Sequence, residues 1–209
     1  MKIDIWMDIT CPFCYIGTTQ LNQAMQGFEH KDNVHIIHHS FQLDPEAPTE
    51  TDTTLNEMLA RKKGISLQQA EQLNNHVTEL AASVGLLFAI EKVIPVNSFN
   101  AHQLLHLATR HGKQSEMLAN LFKAYFQDGY NIASLDTLVK LSSEVGLDPE
   151  NVKASIERND YADEVRADIS QAATHGITGV PFFVIDDAYT ISGAQGTDVF
   201  AEALRKNWN

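Results

Sequence analysis

Cysteine is nearly absent from this sequence. There are two thiols in 209 residues, Cys11 and Cys14, both inside the stretch WMDITCPFCYIG. So low a count leaves no room for a disulfide framework, and the spacing makes a structural staple the weaker reading beside a metal site or a reversible dithiol. A bond closing so short a loop stabilises a fold by only ~2 kcal/mol, against ~3 kcal/mol for a fifteen-residue loop. Positive charge is scarce too: 15 Lys and Arg stand against 27 Asp and Glu, a net charge of −12. A phosphate backbone or an anionic bilayer surface would be repelled by that balance, which argues against nucleic-acid and membrane partners. No apolar run approaches the ~20 residues of a membrane span. Asp4 and Asp8 interrupt the N-terminal segment before a signal-like apolar core can form. The expectation is a mature protein that begins at Met1 and stays in the cytoplasm, where a Cys-x-x-Cys pair is catalytic or metal-binding more often than structural. Internal repeats and low-complexity segments are absent as well.

What is present suits a soluble globule. Hydrophobic residues make up 44% and charged residues 20%, enough for a real core in one domain or a domain with an insertion. KIDIWM alternates with β-rich residues and reads as a strand; CYIGTTQLNQAMQGF reads as a helix with Leu21 and Met25 on one face; NVHIIHHSFQL reads as a second strand. From about Thr51 helices follow one another. Thr54 with Glu57 and Ser66 with Gln69 fit capping boxes, Asp148–Pro149 fits an N-cap followed by proline at the first helical position, and glycines such as Gly64 and Gly129 close the helical runs. Strand signals return at VPFFVI (Val180–Ile185), a turn at Asp186–Asp187, and AYTIS (Ala188–Ser192). A closing helix near Thr197–Arg205 turns Val199, Phe200, Ala203 and Leu204 inward. The predicted fold class is α/β: β-α-β, a large all-helical insertion, then β-β-α. The insertion spans residues 51–175, with residues 1–50 and 176–209 forming the sheet domain.

The cysteines sit where a strand gives way to a helix. With Cys11 as N-cap, Pro12 takes the first helical position, where its missing N–H costs nothing, and the Phe13 and Cys14 amides are expected to point at the Cys11 sulfur. Positive helix-terminal charge favours a thiolate there by ~0.3–1 kcal/mol. Residues three apart on a helix have α-carbons about 5 Å apart, inside the ~4.4–6.8 Å window of a disulfide. Cys14, one turn in, is the less exposed of the two. A reversible dithiol and a metal site both fit. Cys11 and Cys14 with His30 and His35 match a loose zinc spacing, but a turn at Lys31–Asp32–Asn33 and a β-branched strand separate the histidines, so surface histidines are the preferred reading. His102 and His106, four apart on a helix, could grip a metal, although no matching carboxylate follows and packed histidines are commoner. Asp8 would oppose a thiolate nearby, unless it accepts from backbone amides at the strand-to-helix turn.

The pattern of strand, Cys-x-x-Cys and helix, with Val180–Pro181 opening a distant hairpin, resembles the thioredoxin fold. The helical insertion between its halves resembles the DsbA-type branch. CPFCYIG, SFQLDP, NSFNAHQLLHLA, LFKAYF and GITGVPFFVIDDAYTISGAQ resemble the FrnE-like group of cytoplasmic thiol-disulfide oxidoreductases. The resemblance implies a dithiol enzyme in which Cys11 attacks a disulfide and Cys14 resolves it. It further implies a cis Val180–Pro181 loop against the cysteines, with Thr178 and Gly179 leading into it. Pro12, Phe13, Val180 and Pro181 would contact substrate, and Asn97, Phe99 and His102 would line the opposing face. No bound cofactor or metal is implied beyond the redox disulfide, with glutathione as a candidate co-substrate. Substrates would be thiol- or disulfide-bearing proteins or small molecules, and oligomeric state, a homodimer included, is left open. Two alternatives stay beside this reading. One is a glutathione-dependent transferase or isomerase akin to kappa-class glutathione transferases and 2-hydroxychromene-2-carboxylate isomerases, which need no resolving cysteine. The other is a peptide-binding holdase.

Overall fold

The computed structural model describes residues 1–208. β1 (Lys2–Met7) is an inner strand of a four-stranded sheet ordered β2-β1-β3-β4. β2 (His35–Ser40) runs parallel to it, β3 (Phe182–Ile185) antiparallel, and β4 (Tyr189–Ser192) pairs antiparallel with β3. Alternation along β1 sends Ile3, Ile5 and Met7 to one face and Asp4 and Trp6 to the other. All five are buried. α1 (Pro12–Gln26) packs against α9 (Thr197–Lys206). Two polar ties lock that pair: Gly196 N–H donates to Gln20 Oε1 at 3.1 Å, and the Thr197 hydroxyl donates to Gln23 Oε1 at 3.0 Å. Phe200 of α9 meets Phe183 of β3 edge-on, with ring centroids 4.7 Å apart. Val199 departs from the sequence expectation. It is 38% exposed while Phe200, Ala203 and Leu204 are buried, because it stands one residue off the narrow inward stripe.

Between the strand pairs run α2 (Leu55–Lys63), α3 (Leu67–Ser83), α4 (Phe99–Arg110), α5 (Gln114–Lys123), α6 (Leu135–Glu144), α7 (Pro149–Arg158) and α8 (Ala162–Thr174). Both capping boxes form, Thr54 with Glu57 and Ser66 with Gln69, and Asp148 accepts from the Glu150 amide ahead of Pro149. α5 runs into a wider turn, Ala124–Asp128, ended by Gly129 at φ +73°. A Cβ at residue 129 would lie 2.6 Å from Lys92 Cβ, so only glycine fits that approach. β1-α1-β2, then helices, then β3-β4-α9 is the fold class read from the sequence.

The chain divides into two compact units, Met1–Leu43 with the chain from Ala167 onward, and Asp44–Arg166. The breaks fall after Leu43 and Arg166, not after residues 50 and 175, and hydrogen bonds explain both shifts. Asn97 Nδ2 donates to Pro45 O at 2.8 Å and Asn131 Nδ2 donates to Thr49 O at 2.9 Å, which draws residues 44–50 into the helical unit. Asp168 accepts from Ser40 N–H at 2.8 Å, which ties the last turns of α8 to the sheet unit.

Candidate functional site

The strand-to-helix turn after β1 is organised by Asp8. Its carboxylate, on a residue 1% exposed, accepts from Thr10 N–H at 3.1 Å and from Leu43 N–H at 2.8 Å. Its carbonyl accepts from Cys11 N–H at 3.1 Å. The carboxylate is thus committed to backbone amides, one from the turn itself and one from the chain beyond β2. The Leu43 partner was not legible in the sequence.

Cys11 caps α1 with Pro12 in the first helical turn, but its sulfur accepts no cap hydrogen bond. That corrects the sequence expectation. The Cys14 amide donates to the Cys11 carbonyl at 3.1 Å, and the Cys11 thiol donates instead to the Val180 carbonyl at 3.6 Å. Cys11 is 3% exposed and Cys14 not at all, so both thiols are covered and Cys14 is the deeper one. Both are free. Burial pushes the Cys14 thiol well above its ordinary range. The hydrogen-bonded Cys11 sulfur and the charge of Asp8 push the same way, and only the Asp8 backbone N–H opposes them. The Thr18 hydroxyl donates to the Cys14 carbonyl one turn on.

Opposite the cysteines stands Val180–Pro181, joined by a cis peptide bond. α1 approaches this loop closely because of Gly17. A Cβ there would come within 3.1 Å of Pro181 Cγ and 3.3 Å of Phe183 Cζ. The glycine in CYIG is the sequence signal for that contact, and sequence reasoning passed over it. Phe13 is 40% exposed between the two buried thiols, and Pro12 is half-buried beside it.

The structure therefore brings Cys11, Cys14, Pro12, Phe13, Val180 and Pro181 together in one unit. Asn97, Phe99 and His102 belong to the helical unit. Asn97 donates to the Pro45 and Ala47 carbonyls and accepts from Phe99 N–H at 2.8 Å. Phe99 lies beneath Arg166, 5.5 Å from ring centroid to guanidinium carbon, and His102 is buried in α4. Of the zinc candidates, His30 stacks on Trp208 with centroids 4.4 Å apart, and His35 is exposed at the start of β2. Among the described residues no group of three or more His, Cys, Asp and Glu side chains is arranged to hold a metal ion, and no helix is long and apolar enough to cross a membrane.

Known proteins carry the same architecture. The chain is 31% identical over 206 residues to the uncharacterized protein YwbO of Bacillus subtilis, covering 98% of this chain and 96% of that one. It superposes on a probable DsbA oxidoreductase of Streptomyces coelicolor with a TM-score of 0.94 and 39% identity, covering 100% of this chain and 90% of that structure. The cytosolic disulfide reductase DsbM of Pseudomonas aeruginosa, solved with GSH, matches with a TM-score of 0.69 over 99% of this chain and 98% of its own. At 16% identity that last likeness shows the fold alone. With the match spanning residues 2–205, the chain belongs to the DsbA-like thioredoxin domain family.

Proposed function

We propose that the protein is a thiol-disulfide oxidoreductase in which Cys11 is the nucleophile and Cys14 the resolving thiol. The observation that carries this reading is the asymmetry of the pair. One sulfur faces the Val180–Pro181 loop at the start of α1, and the other lies buried beneath it as a thiol. The thiolate is the attacking form, and Cys11 is the residue that caps the start of α1. Cys11 attacks one sulfur of a substrate disulfide, a mixed disulfide forms, and the first substrate thiolate leaves. Cys14 then gives up its proton and attacks Cys11 Sγ. The Cys11–Cys14 disulfide forms and the second substrate thiol departs, so two electrons have passed from dithiol to substrate. A thiol such as glutathione restores the dithiol, and the reverse sequence oxidises a substrate dithiol. Phe13 and the Val180 backbone are the contacts offered to the substrate chain.

A glutathione-dependent transferase or isomerase needs one activating group and no second thiol. Insulin-disulfide reduction with dithiothreitol separates the readings. Wild type is expected to turn over, Cys11→Ser to fall to the uncatalysed rate, and Cys14→Ser to stall after one addition. Full turnover by Cys14→Ser would overturn the dithiol assignment.

A further inference from the structure

On the face of β1 that carries Asp4 and Trp6, one histidine is held between two carboxylates from opposite ends of the chain. His39 of β2 lies with Nε2 at 2.8 Å from Asp4 Oδ1 and Nδ1 at 2.9 Å from Asp168 Oδ1 on α8. The second Asp168 oxygen accepts from Ser40 N–H at 2.8 Å. Trp6 stacks on the imidazole with centroids 4.5 Å apart, and its indole N–H donates to the Asp168 carbonyl at 3.3 Å. A neutral imidazole has one N–H and can donate to only one of these carboxylates; an imidazolium donates to both. The geometry is that of the cation.

The clamp leads to the cysteines. Beyond it, α8 closes with Gly176 N–H donating to Ala173 O at 3.1 Å and Ile177 N–H donating to Ala172 O at 2.9 Å. Ile177, Ala172 and Trp6 form one buried cluster, and Val180 packs against it. The next link is the Val180 carbonyl, which accepts the Cys11 thiol. We propose that His39 is a positioning residue for the dithiol: as a cation bridging Asp4 and Asp168 it fastens α8 to the sheet and so holds the Val180 carbonyl on Cys11, and losing one ring proton releases that hold.

The other charged groups around the ring agree with this. Lys2 of β1 pairs with Asp4 Oδ2 at 3.0 Å and with Asp187 of the β3–β4 turn at 3.1 Å, and Asp186 accepts from the Lys2 backbone N–H. His175, just past α8, meets Trp6 edge-on. Two carboxylates therefore face the imidazole directly, and the Lys2 ammonium on Asp4 is already shared between two acids. Burial pulls the His39 pKa down, but the hydrogen bonds the ring donates to Asp168 and Asp4, together with the charge of the two carboxylates, outweigh it and leave the value raised. A raised pKa means the clamp is whole below the ordinary histidine value, about 6.5, and is lost as pH climbs through the higher folded-state value.

The inference rests on the dithiol reading, yet its test needs no turnover. In the reduced full-length protein, NMR follows the His39 ring across pH, amide hydrogen exchange follows Gly176 and Ile177, and a small aromatic disulfide reports single-addition reactivity of Cys11. The ring is expected to carry both protons at pH 6, below the ordinary histidine value. As it titrates, exchange at Ile177, corrected for its intrinsic pH dependence, should step up by about tenfold, the loss of one charge-assisted hydrogen bond. The Cys11 rate profile should inflect at the same pH. His39→Gln should remove both steps, and Asp168→Asn should move them down by about one pH unit or more, since an adjacent carboxylate is worth ~1–3 units. A ring already neutral at pH 6, or a step unmoved in Asp168→Asn, would overturn the clamp. Failure of insulin reduction with these steps intact would overturn the turnover reading alone.

Discussion

The two units bury different things. The sheet unit buries two carboxylates, Asp4 and Asp8, and answers each with a partner from beyond the β1–α1 turn, His39 for Asp4 and the Leu43 amide for Asp8, with the Thr10 amide of the turn as a second donor to Asp8. Among the described residues the helical unit buries no carboxylate. Its core is aliphatic and aromatic, with Leu104, Leu121, Phe122, Tyr125, Phe126 and Leu138 covered and Phe88 stacked on Phe126 at 4.7 Å. Its ion pairs such as Lys123–Asp128 and Arg158–Asp160 lie outside the core, while the His102 imidazole is buried within it. An unpaired buried charge costs far more than a lost apolar contact. The difference separates a unit organised around fixed charge, where the thiols sit, from one organised around apolar packing.

That comparison can be broken in stages. The largest effect is chemical and confined to the sheet unit: Cys11→Ser should reduce insulin-disulfide reduction by orders of magnitude while leaving urea unfolding almost unchanged. In the helical unit the largest effect is thermodynamic. Leu104→Ala opens a cavity in a fully buried site and should cost about 2–5 kcal/mol in urea denaturation, with the intrinsic reactivity of Cys11 preserved in the folded fraction. Asp8→Asn joins the two kinds of effect. It strips a charge and leaves one of two backbone amides poorly satisfied, so about 1–3 kcal/mol of stability should be lost. Removing that negative charge also lowers the barrier to ionising Cys14, so the alkylation profile of Cys14 should move to lower pH; an unmoved profile would sever Asp8 from the thiols. The smallest change is Thr54→Ala at the start of α2, where loss of a capping box on an exposed helix should cost about 1 kcal/mol and leave every thiol measurement alone.

Local rules made much of this legible in the sequence. The alternation of KIDIWM, the two capping boxes, Asp148–Pro149 and the glycine stops depend on neighbours within four residues, and they place the strands and helices. The Cys-x-x-Cys spacing at a strand-to-helix turn is equally local. What escaped depends on tertiary meetings. Asp168 and His39 lie 129 residues apart, and no periodicity announces their pairing. Leu43 reaches Asp8 across the turn, and Gly17 matters only because Pro181 arrives against it. The Cys11 sulfur was expected to take the cap hydrogen bond from its own helix, and it turns instead to a carbonyl 169 residues away. The domain breaks shifted for the same reason, since side-chain amides and a carboxylate, not composition, decide which unit holds residues 44–50 and the end of α8.

The different roles of Cys11 and Cys14 can be separated by letting each sulfur react without the other. Each single variant, Cys14→Ser and Cys11→Ser, is incubated with a disulfide substrate under native conditions, and intact mass is recorded over time. The account predicts that Cys14→Ser, with only Cys11 left, accumulates one mixed-disulfide adduct per chain, while Cys11→Ser, with only the buried Cys14, stays unmodified. Equal labelling of the two variants, or an adduct on Cys14 alone, would contradict it.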